Sequence, residues 1–333
     1  MAELFAYGLG IAQRDAQGDP LDTFFAKPLL RPEDEIASAL ADVPEGTQTV
    51  SPDDALKLHQ RLGEAVIPAA LLEADLPLTS VKLTADAAIE STPEAYLKLH
   101  LLSHRLTLPN TLNLDGIFAH LPNLAWTSAG PIPVDELSQR QLNARVEGQV
   151  LEVYSVDKFP KLVNYHMPSG VRIADASRIR LGAYLGDGTT VMHEGFVNFN
   201  AGALGPNMVE GRISQGVTIG SGTDLGGSAS TMGTLAGGGE IVITLGKNCL
   251  IGANAGTGIP LGDRCTIEAG LYITAGTVVT LVDETGEQVR KAKARELAGG
   301  SDLLFIRDSV TGQVICRSNR RAIALNEELH AHN

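Results

Sequence analysis

The stretch VRIADASRIRLGAYLGDGTTVMHEGFVNFNAG (Val171–Gly202) places Ile173, Ile179, Leu185, Val191 and Val197 six residues apart. Six is neither the 3.6-residue period of a helix nor the two-residue period of a strand. The step returns in Ile213, Ile219 and Leu225, in Leu245 and Ile251, and in Leu261, Ile267, Ile273 and Val279. A glycine often follows the aliphatic residue, as in Ile219-Gly220, Leu245-Gly246, Ile251-Gly252 and Leu261-Gly262. The spacing predicts a coil of short strands joined by tight corners, each turn stacking its apolar interior on the next.

Three interruptions stand out against that rhythm. The first is ALGPNMVEGR (Ala203–Arg212), read as an insertion carrying an acid and a base two residues apart, Glu210 and Arg212. A carboxylate there can take a proton from an attacking amine, or merely keep a corner soluble. The second, GGSASTMGTLAGGG (Gly226–Gly239), lets backbone approach a ligand closely and offers N–H groups to its oxygens. It lacks the Gly-Lys-Ser/Thr ending of a nucleotide-phosphate loop, and a plain surface loop is the competing reading. The third is ANAGTGIP (Ala253–Pro260), where two residues beyond the sixfold frame are expected to accumulate.

Working outward, residues 1–149 read as a mixed α/β domain, 150–282 as the repeat domain and 283–333 as a terminal hairpin and cap. Ser51-Pro52-Asp53-Asp54 and Ser91-Thr92-Pro93-Glu94 are helix starts: a capping serine, then proline and acids in the first turn. Helices are also expected over 32–41 and 134–146, and a strand over Ser80–Leu83. Val150–Val156 is expected as a strand leading into the repeats. Leu303–Arg307 and Val314–Arg317 flank Thr311-Gly312 as a hairpin, and Ala322–His330 reads as a closing helix or cap. His59, His100 and His104 fall on helical patterns and are assigned to packing or surface roles.

The 333 residues carry a formal net charge of −13, which argues against nucleic acid or an anionic membrane surface as partner. Three cysteines without metal-ligand spacing read as buried reduced thiols. No leader or membrane span is read from the chain, so a cytoplasmic protein is expected. A zinc hydratase on such a coil needs three converging imidazoles; the repeats hold only His193, with His166 just outside.

The strings VMHEGFVNFNAG, MVEGRIS, LGGSASTMGTLAGGG, CLIGANAGTGIPLGD, EAGLYITAG, KAREL and ALNEELHAHN together resemble the tetrahydrodipicolinate N-succinyltransferases, in the branch of actinobacteria and some pseudomonads. STPEAYLKLHLLSHRL carries the likeness into the amino-terminal domain. The resemblance implies a left-handed parallel β-helix, three hexads to a coil, assembled as a homotrimer with active sites between subunits. It implies that succinyl-CoA, tetrahydrodipicolinate and water give N-succinyl-2-amino-6-oxopimelate and CoA, a step toward diaminopimelate and lysine. The catalytic acid falls on Glu210, as general base or as carrier of the acyl group in a mixed anhydride. Arg212 matches a ligand-contacting arginine. Succinyl-CoA contacts fall on Gly227, Ser230, Ala253, Glu268, Ala269, Gly276, Lys293, Ile306, Arg307, Asp308 and Ser309. A Mg2+ ion on the trimer axis is implied with Glu194 as ligand, but its other acid falls on Ser177, a departure from the pattern. Another β-helix acyltransferase using acetyl-CoA, and a scaffold without ligand, are the alternative readings.

Overall fold

The structure, a computed structural model, describes residues 4–233 and 242–318. The part of the glycine-rich loop beyond Gly233 and the expected closing segment Ala322–His330 lie outside the described residues. By its internal contacts the chain divides into two units. The first holds residues up to Thr107, Thr111–Pro160 and Asn164–His166, and the second holds the remainder.

In the first unit, Ala6–Ile11 pairs antiparallel with Leu78–Leu83, which also pairs with Gly46–Val50. Ser51 caps the helix Pro52–Leu62 by accepting from the Asp54 N–H, and Ser91 caps Thr92–Ser103 by accepting from the Glu94 N–H. Glu94 accepts in turn from the N–H of Glu90, one residue before the position a regular capping box uses. The second helix is buried on nearly every face. That includes Lys98, whose ammonium meets Asp86 at 2.7 Å and the carbonyls of Ala87 and Asn113 at 2.6 Å. Three donors meet three acceptors, so this buried cation is fully satisfied and structural.

The helices expected over 32–41 and 134–146 form over Asp34–Ala39 and Leu137–Val146. Val153–Asp157, however, pairs antiparallel with Leu124–Thr127 inside the first unit. It closes a small sheet there instead of leading into the repeats, which moves the boundary from 149 to about Pro160.

Three histidines of this unit form a chain. His100 Nδ1 lies 3.4 Å from His104 Nε2, and the His104 and His166 rings stack at 3.7 Å. Burial holds His100 well below the usual imidazole range. Burial, then the charges of His166 and Lys27, pushes His104 down to about 3. Burial and Arg105 lower His166. These rings are neutral in the fold and free to charge once unfolded. The unfolded chain therefore binds more protons below about pH 6.5, and stability present above that value is lost as pH falls toward 3. His100 and His104 each cost up to about 1.4 kcal/mol per pH unit in that window, and the half-exposed His166 contributes less. The thermal midpoint is expected to fall steadily from pH 6.5 to 4, and His104→Gln to shallow the slope; an unchanged slope counts against this origin of acid lability.

The second unit is a parallel β-helix of three faces. The first face stacks the strands ending in Ile173, Val191, Val209, Leu225, Ile251 and Ile267. The second stacks Val197, Ile213, Thr231, Thr257 and Ile273, and the third Leu185, Ala203, Ile219 and Leu245. These hexad residues point inward and form one continuous buried core. Corners are closed by residues in the left-handed region, among them Asn200, Ser228, Asn248 and Asn254 at φ 52–59°. Asparagine tolerates that conformation better than most side chains.

The register corrects two of the three expected interruptions. Ala203 and Val209 keep the six-residue step, so 203–212 holds no insertion; instead Val209 to Ile213 is only four residues, a shortened corner. Thr257 to Leu261 is likewise four, two fewer than the frame and not two more. The true insertion lies between Thr231 and Leu245, fourteen residues apart.

The tail continues the helix instead of forming a separate body. Leu303–Arg307 adds in parallel to Thr266–Ile267 on the first face and forms the expected hairpin with Val314–Ser318. Val278–Val282 pairs with both Gln288–Lys293 and Val314–Ser318. The first-face ladder is thereby continued past Thr266–Ile267. Cys249, Cys265 and Cys316 are free and buried in this core. Among the described residues no helix is long and apolar enough to cross a membrane.

Candidate active site

The β-helix repeats its corners every coil, so residues far apart in sequence line up along one edge. The corner between the first and second faces carries Glu194, then Glu210, Gly227, Ala253, and Glu268 with Ala269, in successive coils. Backbone links join them: Ser228 N–H donates to the Glu210 carbonyl, Asn254 N–H to that of Gly227, and Gly270 N–H to that of Ala253.

Two of these acids approach Gly227. A Cβ placed there would lie 3.6 Å from Glu194 Oε2 and 3.7 Å from Glu210 Oε2. Two carboxylates from adjacent coils thus converge on a notch that has no side chain. Ser228 fixes one of them by donating its hydroxyl to Glu194 Oε2 at 3.0 Å. Glu210 is partly buried in its shortened corner, while Glu194 is exposed.

On the adjoining second face the outward positions are Phe196, Arg212, Ser230, Gly256 and Tyr272, one per coil. Arg212 Nε donates to Ser230 Oγ at 3.0 Å, and that oxygen lies 3.3 Å from the Tyr272 hydroxyl. Glu210 and Arg212 therefore flank one corner from two sides.

The tail joins the same edge through Glu268, whose Oε2 accepts from the N–H of Arg307 at 2.8 Å. Asp308 builds the turn that follows. Its carboxylate accepts the N–H groups of Thr311 and Val310, and these bonds hold it below the usual carboxylate range. Ile306 is half-buried and Ser309 exposed in this segment. Gly276 and Lys293 stand at the next corner, beyond the second face, where the Ala294 N–H donates to the Thr277 carbonyl. Both are exposed, and among the described residues the Lys293 ammonium enters no ion pair. Thus the structure gathers Glu194, Glu210, Arg212, Gly227, Ser230, Ala253, Glu268 and Ala269 on one edge and its adjoining face. Arg307 joins them through Glu268, and Gly276 and Lys293 are set apart across the face.

The implied cation has no matching acid pair. Ser177 occupies the other position, and its N–H and hydroxyl both donate to Asp175 Oδ1, at 2.9 and 2.7 Å. These bonds commit the neighbouring acid and hold its carboxyl low. Among the described residues no group of three or more histidines, cysteines or acids is placed to hold a metal. The residues present do not fit a two-acid cation site, and no step is routed through one. A cavity of about 400 Å³ beside Leu281, Leu303 and Arg317 contains none of the predicted residues.

Sequence reading missed Tyr272 and Ser228. The signal for Tyr272 was its outward position, one residue before the hexad Ile273 and in step with Arg212.

Hexad coils stacked on three faces, with acids and a glycine lined up along one corner, define a hexapeptide-repeat protein. Residues 242–275 match the model "Hexapeptide repeat of succinyl-transferase", and residues 121–161 match "Tetrahydrodipicolinate N-succinyltransferase middle". The chain is 56% identical to a 2,3,4,5-tetrahydropyridine-2,6-dicarboxylate N-succinyltransferase of Pseudomonas putida, over 99% of both chains. It is 52% identical to the Vibrio cholerae protein of that name, again over 99% of both. A crystal structure from Campylobacter jejuni, described as a candidate 2,3,4,5-tetrahydropyridine-2-carboxylate N-succinyltransferase, superposes with a TM-score of 0.87 at 32% identity. That likeness covers 97% of this chain and 94% of the other. The chain belongs to the tetrahydrodipicolinate N-succinyltransferase family, and its coil is the left-handed parallel β-helix that the resemblance implied.

Proposed function

We propose that the chain transfers succinyl from succinyl-CoA to hydrated tetrahydrodipicolinate at the Gly227 notch, with Glu210 as general base. The observation that carries the assignment of residues is the convergence of Glu210 and Glu194 on a position without a side chain. A thioester is already activated, so catalysis reduces to aligning an amine with its carbonyl and removing one proton. Water adds to the cyclic imine of the acceptor and leaves a ring N–H. As that nitrogen attacks the thioester carbon, Glu210 takes its proton. The C–S bond then breaks and the proton passes to the departing sulfur. The ring C–N bond of the hydrated carbon breaks, its hydroxyl becomes the 6-oxo group, and the hydroxyl proton goes to the amide nitrogen. N–H groups of the glycine-rich corner supply charge-stabilising donors for the tetrahedral oxygen.

Arg212 is read as the anchor of a substrate carboxylate, and Lys293 and Arg307 as counter-charges for the CoA phosphates on an otherwise acidic protein. The open edge fits a homotrimer in which a neighbouring subunit closes each site, in the cytoplasm, supplying diaminopimelate and lysine synthesis.

The test is CoA release with tetrahydrodipicolinate and either succinyl-CoA or acetyl-CoA. Release that requires the cyclic acceptor and strongly favours succinyl-CoA is expected; acetyl preference or no release overturns the assignment. Lys293→Ala is expected to raise the KM for succinyl-CoA about tenfold, with the acceptor KM within twofold. Equal effects on both substrates would remove Lys293 from the CoA site.

A further inference from the structure

Tyr272 is the largest side chain on the outer side of the second face that none of the roles above uses. It is 39% exposed, yet it does not extend straight outward. Its ring lies back along the helix over Gly256, so closely that a Cβ on that glycine would sit 2.3 Å from the Tyr272 Cε2. The hydroxyl thereby passes over one complete coil and comes within 3.3 Å of Ser230 Oγ. Ser230 in turn receives the Nε–H of Arg212 at 3.0 Å. Three outward positions from three coils, with glycine as the bed for the ring, form one polar chain that ends on the guanidinium of Arg212, two residues beyond Glu210.

Each link has a physical consequence. The Ser230 hydroxyl carries one proton and two lone pairs. Arg212 Nε–H uses one lone pair, and the tyrosine hydroxyl fixes how the rest of the group is turned. With Nε held, the planar guanidinium has one orientation, and its Nη groups, which have no hydrogen-bond partner among the described residues, are presented as a fork. Ser230 itself is buried, at 8% exposure, so water does not readily replace the missing phenol. The residue at 256 must then be glycine because the ring occupies the space of any side chain there.

We propose that Tyr272 is a positioning residue. Acting through Ser230, it holds the Arg212 fork at the angle that receives a substrate carboxylate, and so sets specificity for the carboxylate-bearing substrate. The inference rests on the proposed succinyl transfer. Both substrates of that reaction carry carboxylates, on the succinyl tail and on the ring of the acceptor, and the guanidinium chemistry is the same for either.

The decisive variant is Tyr272→Phe, which keeps the ring over Gly256 and removes only the hydroxyl. Steady-state kinetics with the full-length wild-type and variant enzymes are expected to show one KM raised about tenfold, with kcat within twofold and the thermal midpoint unchanged. A rise confined to the acceptor assigns its ring carboxylate to the fork. A rise for succinyl-CoA without one for acetyl-CoA assigns the succinyl tail. In an Arg212→Lys background, which shortens and reshapes the fork, Tyr272→Phe is expected to add less than twofold, because the link through Nε is already gone. Unchanged KM values for both substrates, a fall in kcat alone, or a full tenfold effect in the Arg212→Lys background would each overturn the proposal. A wild-type enzyme inactive with either donor would instead defeat the underlying reaction assignment, and is distinguished by the wild-type control.

Discussion

Glu210→Gln is expected to lower kcat by about a thousandfold while the KM for succinyl-CoA and the thermal midpoint stay near wild type. The substitution is isosteric and leaves the shortened corner between Val209 and Ile213 in place, including the Ser228 N–H that donates to the Glu210 carbonyl. What it removes is the one property the mechanism needs, a group that takes the proton of the attacking nitrogen. Positioned general bases contribute about 10²–10⁴-fold. The residual rate reflects alignment of the two substrates, which the amide does not disturb. Single-turnover assays locate the loss in the acyl-transfer step. Incubating wild type with succinyl-CoA alone separates the two roles for the carboxylate: a succinyl adduct on Glu210, seen by mass spectrometry, would mark a mixed anhydride. Its absence together with the kcat loss supports the base. A variant with near-normal kcat would remove Glu210 from the mechanism altogether.

The fold was legible where side chains repeat, and obscured where inward positions change chemistry. Ile173 through Val197 announce the coil because each inward residue is aliphatic. Thr231 and Thr257 occupy the same inward positions but are polar. Their hydroxyls are satisfied by the carbonyls of Arg212 and Ile259, so the core accepts them while the apolar rhythm falls silent. With Thr257 and Ala203 unread as hexad residues, shortened corners looked like insertions. Val153–Asp157 misled for another reason: a strand is recognisable from its residues, but its partner is not, and Leu124–Thr127 claims it within the first unit.

The site was legible as residues but not as an arrangement. Resemblance supplied Glu210 and Gly227 separately. That both Glu194 and Glu210 look onto Gly227 follows only from the stacking of corners in adjacent coils. The same stacking separates Lys293 and Gly276 from the acids by the width of a face, a distinction no linear motif carries. Tyr272 was invisible because a tyrosine before a hexad aliphatic is ordinary. Only the lack of a side chain at Gly256, where the ring lies, shows that it runs back along the helix.

Gly227→Ala separates the shape of the notch from the chemistry of its walls. The added methyl would lie 3.6 and 3.7 Å from the carboxylate oxygens of Glu194 and Glu210, ordinary van der Waals contact with no backbone atom in the way. Gly227 is not among the residues in the left-handed region, so alanine meets no conformational penalty there. The fold is therefore expected to keep its thermal midpoint within about 2 °C, a surface-type change of under ~0.5 kcal/mol. Catalysis has no such tolerance. The methyl fills the place where an acceptor nitrogen must sit to reach Glu210, and a displacement of about 1 Å can cost on the order of 100-fold. The expected result is at least that loss in kcat/KM for tetrahydrodipicolinate, with both glutamates intact and succinyl-CoA still bound in calorimetry. Gly227→Ser is expected to be worse than alanine, because its hydroxyl can also donate to the carboxylates and compete with the acceptor for Glu210. If alanine leaves kcat/KM within threefold, the nitrogen does not pass between the two carboxylates. Glu210 would then have to reach it from the Arg212 side of the corner.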